Sequence, residues 1–334
     1  MCSMDSKTRI AVIGSGSWAT ALVKLLLNNN SQLNWFMRHE EDIAFIRKYK
    51  HNPKYLTSVL LDTSKITFCS SIETIIRESD LLFIAIPAPF LEESLIPYKG
   101  TFHGKFIISA VKGLIPHHNL TVAEYFNQVY NLPFSAVGII SGPCHSEEIA
   151  LERLSYLTVS SKSKKDARYI AEIITCHYVK VKRSTDIYGT EYAAVLKNIV
   201  AICAGICHGL GYGDNFLAVL VSNAHQEIKR FLDKTYKSKR KINSSPYLGD
   251  LLVTSYSQFS RNRTLGTMIG KGYSLQAAQL EMNMIAEGSY AVVCIKEINE
   301  KYKVNMPIIN AVYNILYGKI SPAIEIKLLE DKLK

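Results

Sequence analysis

The sequence has no long apolar run without a charge, and its cysteines are scattered. Lys197 and Asn198 interrupt the longest apolar stretch, so we expect no membrane-spanning helix. The first nine residues, MCSMDSKTR, have no apolar core, which argues against a signal peptide. Seven cysteines make an odd number, without the spacing of a disulfide-bonded secreted domain. These features predict a soluble cytoplasmic protein with no membrane insertion.

Two classes of partner are also disfavoured, namely nucleic acids and metals. Basic residues outnumber acidic ones by 39 to 29, but only residues 234–241 (KTYKSKRK) concentrate them, with a single aromatic side chain for base stacking. An anionic substrate explains a basic surface equally well. Cys203, Cys207 and His208 are spaced as metal ligands could be, yet no fourth ligand lies nearby in the sequence. We therefore expect small buried cysteines and no metal.

The most informative stretch is 9–27, RIAVIGSGSWATALVKLLL, in which an apolar run precedes a glycine turn and a helical pattern. Gly14 is free to adopt unusual backbone angles, and Gly16 has no side chain to keep a ligand away. Ala19 provides the small residue that packs helix against strand. The amides that open such a helix bind anions, so the stretch predicts the pyrophosphate site of a dinucleotide.

The chain length of 334 residues predicts two domains. Short apolar runs alternate with helical patterns as far as residue 185, and only helical patterns follow. We predict an α/β N-terminal Rossmann-type domain, residues 1–185, followed by an all-α C-terminal domain, residues 186–334. Serine, asparagine and glycine predict ordered loops at 243–249 and 255–272. The predicted strands are 10–13, 33–37, 66–68, 81–86, 106–111, 136–141, 157–161 and 179–182.

Two basic residues follow predicted strands at the edge where such sheets bind ligands. Arg38 stands where dinucleotide folds often have an acidic residue, and an arginine could pair with a 2′-phosphate or stack on adenine. NADP use is therefore predicted beside NAD, with a solvent-facing arginine as the alternative. Lys112 follows a buried strand, and an ordinary surface lysine is its alternative reading.

A lysine in the middle of an apolar helix is the strongest sign of catalysis. Lys197 lies in the predicted helix 190–209, among Ala193, Ala194, Ala201 and Ala204. Small neighbours leave space for a ligand, and burial lowers the pKa of an ammonium group, as a general base near neutral pH requires. The alternative is a structural lysine paired with a buried carboxylate.

A second cluster suits an oxyanion. Ser260, Arg261, Asn262 and Arg263 are consecutive, and a guanidinium group matches the geometry of phosphate oxygens. Asp250 lies ten residues before Ser260 in the stretch 247–266, YLGDLLVTSYSQFSRNRTLG, which is also interpreted as a loop.

These motifs together resemble the bacterial-type NAD(P)-dependent glycerol-3-phosphate dehydrogenases. In chain order they are GSGSWATAL, AVKGL, SGP, LKN, LGDL, SRNR and AEG. The resemblance implies Lys197 as proton acceptor and a homodimer that supplies glycerol 3-phosphate for phospholipids. It implies cofactor contacts by Gly14, Gly16, Ser17, Trp18, Arg38, Lys112, Ser146, Arg261, Ile285 and Glu287, and substrate contacts by Lys112, Gly142, Cys144, Lys197, Asp250, Ser260, Arg261 and Asn262.

The chain departs from this pattern at a few positions. Cys144 replaces a usual threonine, Ser146 a usual alanine, and Asn223 a usual arginine. Two other functions stay open, a β-hydroxyacid dehydrogenase acting on a carboxylate and a dinucleotide-sensing protein without turnover. The SRNR sequence favours phosphate over carboxylate, and Lys197 among alanines favours catalysis over sensing.

Overall fold

The computed structural model describes residues 8–282 and 284–334. Residues 1–7, which include most of the segment that argues against a signal peptide, lie outside the described residues. The chain divides into two compact units. The sheet unit runs up to Val111 and includes Val122–Ile187; the helical unit comprises Lys112–Thr121 and Tyr188–Lys334. The proposed boundary at residue 185 stays a prediction.

One sheet forms the centre of the sheet unit, with eight strands in the described part of the chain. Their order is β3-β2-β1-β4-β5-β6-β7-β8, and neighbours are parallel except β6 and β7. The central strands β1, β4 and β5 are completely buried, as a parallel sheet covered on both faces requires. The strands are β1 Ile10–Ile13, β2 Leu33–Phe36, β3 Ile66–Cys69, β4 Leu81–Ile84, β5 Phe106–Ser109, β6 Val137–Ser141, β7 Ser155–Ser161 and β8 Val179–Ser184.

Helices connect these strands and bury one face each against the sheet. Ser71 and Ser163 cap two of them by accepting a bond from a backbone N–H in the first turn. The helices of this unit are α1 Ser17–Leu26, α2 Glu40–Tyr49, α3 Ile72–Arg77, α4 Ala88–Leu95, α5 Val122–Tyr130, α6 Ser146–Ala150 and α7 Lys164–Ile174. The Rossmann-type order of strands and helices confirms the predicted fold of the N-terminal part.

The helical unit is built around one long buried helix, α8, Ile187–Gly209. By length and composition α8 is apolar enough to cross a membrane, but 89% of its most apolar window is buried inside the protein. It is therefore a core helix of this unit. The remaining helices are α9 Asp214–Thr235, α10 Asp250–Tyr256, α11 Arg261–Gly270, α12 Leu275–Glu281, α13 Gly288–Tyr302, α14 Pro307–Leu316 and α15 Pro322–Glu330.

The two predicted loops are largely wrong. Residues Ser245–Gly249 form a single helical turn of the π type, and 255–272 contains all of α11. The error arose because serine, asparagine and glycine, here including Gly266 and Gly270, are common in loops. A Cβ atom on either glycine would collide with the backbone of α8, so both are needed for the close approach of two helices.

Candidate active site

The two glycines of the turn after β1 have different surroundings. Gly14 has a φ of +135°, and a Cβ there would lie 2.6 Å from the carbonyl oxygen of Ala85. Gly16 has open space where a Cβ would be. The first glycine therefore allows the turn to approach the end of β4, and the second leaves room for a ligand.

The start of α1 is suited to a dinucleotide. Its N-cap residue is Gly16, which has no side chain to bond to the first amides of the helix. Ser17 is buried, and the indole Nε1 of Trp18 is shielded from solvent with no acceptor among the described residues. Arg38 follows β2 and is exposed. Open amides, an indole donor and a cation fit the phosphates of NAD or NADP.

The buried lysine of α8 forms an ion pair. Lys197 is 4% exposed, and its Nζ donates to Oδ1 of Asp250 at 2.7 Å and to Oγ1 of Thr254 at 2.7 Å. Thr254 donates in turn to the carbonyl oxygen of Asp250, also at 2.7 Å. The buried carboxylate stabilises the protonated form of the lysine.

A second lysine shares this carboxylate. Nζ of Lys112 lies 3.4 Å from Oδ2 of Asp250, whose side chain is 1% exposed. The carbonyl oxygen of Lys112 accepts a bond of 2.8 Å from Nδ2 of Asn198, the residue after Lys197. Asp250 is thus positioned between two ammonium groups, and its charge offsets part of the cost of burying them.

This arrangement differs from the surroundings that the sequence suggested for Lys197. The four alanines are buried, as expected, but the nearest charged group is a carboxylate. The alternative of a lysine paired with a buried carboxylate therefore describes its contacts correctly. Such a pair is compatible with proton transfer, because the ammonium form is the proton donor in the reductive direction.

Thr254 is a site residue that the sequence reasoning missed. It lies four residues after Asp250 on α10, so both side chains project from the same face. The i,i+4 spacing could have identified it, but the segment was interpreted as a loop.

The SRNR sequence opens helix α11. Ser260 is the N-cap, and its Oγ accepts from the backbone N–H of Arg263 at 3.3 Å. Arg261 is half-buried at the first helical position. The Oδ1 atom of Asn262 accepts from the N–H of Gly288 at 2.9 Å, which leaves the amide NH₂ as the donor for an oxyanion. A helix N-terminus with these side chains is suited to phosphate.

Ile285 and Glu287 precede α13 and are both half-buried. Gly288, the first residue of α13, would place a Cβ 2.7 Å from the carbonyl oxygen of Asn198. The AEG sequence therefore brings the start of α13 against the turn of α8 that carries Lys197.

Comparison with known proteins identifies the family. The family model described as NAD-dependent glycerol-3-phosphate dehydrogenase N-terminus matches residues 9–167, and the C-terminus model matches residues 186–327. A glycerol-3-phosphate dehydrogenase [NAD(P)+] of Staphylococcus haemolyticus is 32% identical, covering 93% of this chain and 94% of the relative. The Bacillus subtilis protein of the same name is also 32% identical, covering 97% and 95%. The chain belongs to the NAD-dependent glycerol-3-phosphate dehydrogenase family.

Solved structures agree with the fold. The glycerol-3-phosphate dehydrogenase of Coxiella burnetii has a TM-score of 0.89 at 23% identity, covering 97% of this chain and 98% of that one. D-mandelate dehydrogenase has a TM-score of only 0.59 at 15% identity, covering 98% and 100%. Membership of the glycerol-3-phosphate dehydrogenase family favours this activity over that of a β-hydroxyacid dehydrogenase.

The positions that depart from the usual sequence of the glycerol-3-phosphate dehydrogenase family have local partners. Gly142 has a φ of +123°, and the Sγ of Cys144 donates to its carbonyl oxygen at 3.2 Å. Ser146 begins α6 and donates to Glu147 at 3.0 Å. Asn223 exchanges bonds with the backbone of Lys334 at 2.8 and 3.1 Å. Cys144 thus directs its thiol to the backbone at a position where the family usually has a hydroxyl.

The cysteines of α8 are buried as expected: Cys203 is 0% and Cys207 1% exposed. A hydrogen bond with the neighbouring thiol of Cys207, together with burial, raises the pKa of Cys203. Within residues 8–282 and 284–334, no group of three or more His, Cys, Asp or Glu side chains is arranged to hold a metal ion.

Proposed function

We propose that the chain interconverts sn-glycerol 3-phosphate and dihydroxyacetone phosphate with NAD or NADP. The observation that carries the proposal is the buried Lys197–Asp250 pair, which lies in the same unit as the phosphate-suited start of α11. A proton donor and an anion site are the two features that reduction of a phosphorylated ketone requires.

In the reductive direction, Lys197 donates a proton to the C2 oxygen of dihydroxyacetone phosphate. A reduced nicotinamide cofactor, when bound, would supply the hydride that converts the C2 ketone to the alcohol. Asp250 retains its negative charge throughout and keeps the amine of Lys197 oriented after the proton has left. In the oxidative direction the neutral amine of Lys197 accepts the hydroxyl proton.

The phosphate group binds at the start of α11. Ser260, Arg261 and the NH₂ group of Asn262 are its proposed ligands there, and Lys112 adds a second cation. Gly142 and Cys144 are proposed to border the substrate.

The cofactor is proposed to bind at the turn formed by Gly14 and Gly16, against Ser17 and Trp18. Arg38 is proposed to contact the adenosine end and to admit NADP. Lys112, Ser146, Arg261, Ile285 and Glu287 are proposed as further cofactor contacts.

The deciding experiment follows the absorbance of the reduced cofactor, with dihydroxyacetone phosphate or dihydroxyacetone in the presence of NADH or NADPH, and with a β-hydroxy acid in the presence of NAD⁺ or NADP⁺. We expect rapid turnover of the phosphate ester and very slow turnover of dihydroxyacetone. Turnover of the β-hydroxy acid without turnover of the phosphate ester would overturn the proposal. No turnover of any substrate would indicate the dinucleotide-sensing alternative.

A substitution cycle then assigns the phosphate contact. We expect Arg261→Lys to cost about 1–3 kcal/mol in kcat/KM for dihydroxyacetone phosphate, because lysine cannot bind two phosphate oxygens as a fork. The same change should affect dihydroxyacetone little, so the two losses differ by the energy of the arginine–phosphate contact. Arg168→Lys, on an exposed arginine of α7, is the matched control.

We also propose a cytoplasmic homodimer without membrane insertion, in which residues 1–185 bind the cofactor and residues 186–334 the substrate. Supply of glycerol 3-phosphate for phospholipids is its proposed role. Light scattering after size-exclusion chromatography tests the dimer, and cell fractionation tests the location.

A further inference from the structure

Arg263, the second arginine of SRNR, is not needed for the proposed catalytic site. Each residue turns an α-helix by about 100°, so Arg263 lies on the opposite side of α11 from Arg261, two residues earlier. It lines a groove of about 380 Å³ together with His208, Gln258, Thr267, Lys271 and Tyr273. This volume is typical of small-molecule sites.

The packing of α8 on α11 explains why the groove exists. Gly205 of α8 lies against the backbone of Arg263 and Thr267 of α11, and Gly209 lies against Thr267 and Gly270, so closely that a Cβ on Gly209 would lie 2.5 Å from the carbonyl oxygen of Thr267. Because the two backbones touch, the side chains that flank the contact spread to either side. The groove is therefore held open by the same backbone contact that fixes α11 on the catalytic helix.

The charged side chains that line the groove among the described residues are of one sign. Arg263 and Lys271 contribute positive charge, and the described residues that line the groove include no aspartate or glutamate. Nε of Arg263 is shielded from solvent and has no acceptor among the described residues. A buried donor without an acceptor is unfavourable, so a bound anion would satisfy it.

We propose that this groove binds the phosphate group of a small metabolite, separately from the substrate, and that occupancy changes substrate affinity through α11. The guanidinium of Arg263 and the ammonium of Lys271 bind the phosphate oxygens. Tyr273 and Met268 offer apolar surface to the rest of the molecule. The link to catalysis is α11 itself, since Arg261 and Asn262 stand at its start and Lys271 directly follows its end. The binding half of this proposal stands independently of the proposed function, whereas its effect on substrate affinity rests on it.

Calorimetry on the full chain tests the site with inorganic phosphate, AMP and glycerol 2-phosphate as probes. Dihydroxyacetone phosphate and NAD⁺, a pair that cannot react, are kept at saturation so that the catalytic site is filled. We expect one probe molecule per chain, and an affinity at least tenfold weaker in Arg263→Gln and in Lys271→Gln. Tighter binding of AMP than of phosphate would assign a nucleotide, and tighter binding of glycerol 2-phosphate a sugar-like phosphate.

The control is Arg168→Gln, which removes an exposed arginine elsewhere and should bind the probes as the unaltered chain does. Thermal unfolding without probe shows whether each variant is folded, and the probe should raise the melting temperature of the unaltered chain but not of Arg263→Gln. Loss of probe binding at saturating dihydroxyacetone phosphate and NAD⁺, or unchanged binding in folded Arg263→Gln, would overturn the site.

The effect on catalysis has its own measurement. Saturating AMP should change the KM for dihydroxyacetone phosphate at least twofold in the unaltered chain and leave it unchanged in Arg263→Gln. An unchanged KM with AMP bound would overturn the regulatory half. Turnover of dihydroxyacetone phosphate without probe tests only the proposed function, so the two failures are distinguishable.

Discussion

Replacing Asp250 with asparagine tests whether the buried ion pair stabilises the helical unit. The change keeps the shape of the side chain but removes the charge between Lys197 and Lys112. Nζ of Lys197 lies 2.7 Å and Nζ of Lys112 3.4 Å from the carboxylate. The side chain of Lys197 is 5% exposed, so the change removes the carboxylate 2.7 Å from a charge that has little access to water.

Removing one partner of a buried pair costs about 3–5 kcal/mol. Lys112 is 18% exposed and keeps some hydration, which places the expected loss near the lower limit. We therefore expect Asp250→Asn to lower the free energy of unfolding in urea by about 3 kcal/mol. Asp42→Asn is the matched control, since Asp42 pairs at 2.9 Å with a lysine that is 51% exposed. It should cost about 1 kcal/mol or less.

A double-substitution cycle with Lys197→Met separates the pair from its surroundings. The double variant should lose about 2–3 kcal/mol less than the sum of the two single losses, because it removes the buried Lys197 charge together with the carboxylate that stabilises it. Lys197→Met should also lower kcat/KM in NADH absorbance assays. The loss of transition-state stabilisation should be about 3–5 kcal/mol, since the proton donor is gone. A coupling near zero would refute the ion-pair reasoning, and turnover equal to that of the unaltered chain would remove Lys197 from the mechanism.

Three further changes test other parts of the molecule. Arg38→Asp should raise the KM for NADPH far more than that for NADH, because a carboxylate would repel the 2′-phosphate; equal effects would assign Arg38 a stacking or structural role. Burial raises the pKa of Glu227 to about 7, against the opposing bonds from the N–H groups of Ile308 and Ile309. Its contribution to stability should therefore decline from pH 4.5 to 7, by about 3 kcal/mol at most, and Glu227→Gln should abolish that slope in urea unfolding. Gly266→Ala should force α11 away from α8, cost about 1–3 kcal/mol and raise the KM for dihydroxyacetone phosphate. Gly213→Ala, where a Cβ meets open space, should not raise that KM.

Local patterns were enough to predict the parts of the site that depend on a short stretch of chain. The strand, glycine turn and helix of residues 9–27 lie where predicted because the apolar run, Gly14 and the following helical pattern each specify one local conformation. Lys197 was recognisable because an ammonium in an apolar helix is rare. Neither prediction depends on which distant residues pack against the segment.

The pairing of Lys197 with Asp250 was not predictable in this way. The two residues are 53 positions apart, and their contact depends on how α10 packs against α8. The helices α10 and α11 were not predicted either, since their serine, asparagine and glycine residues are common in loops. In α11 these residues instead provide a cap and a close helix contact. Gly266 allows close helix packing because the backbone carbonyl of Ile202 lies directly against it, and Ile202 is far away in the sequence.

One turn of α8 connects the segments that supply the proposed catalytic groups. Lys197 reaches Asp250 on α10, and Asn198 binds the carbonyl oxygen of Lys112. The carbonyl oxygen of Asn198 lies against Gly288, whose N–H orients the amide of Asn262 on α11. Because α8 is the most buried helix of its unit, this turn cannot shift without disturbing the core. The position of each proposed substrate ligand in the helical unit therefore depends on the packing of α8.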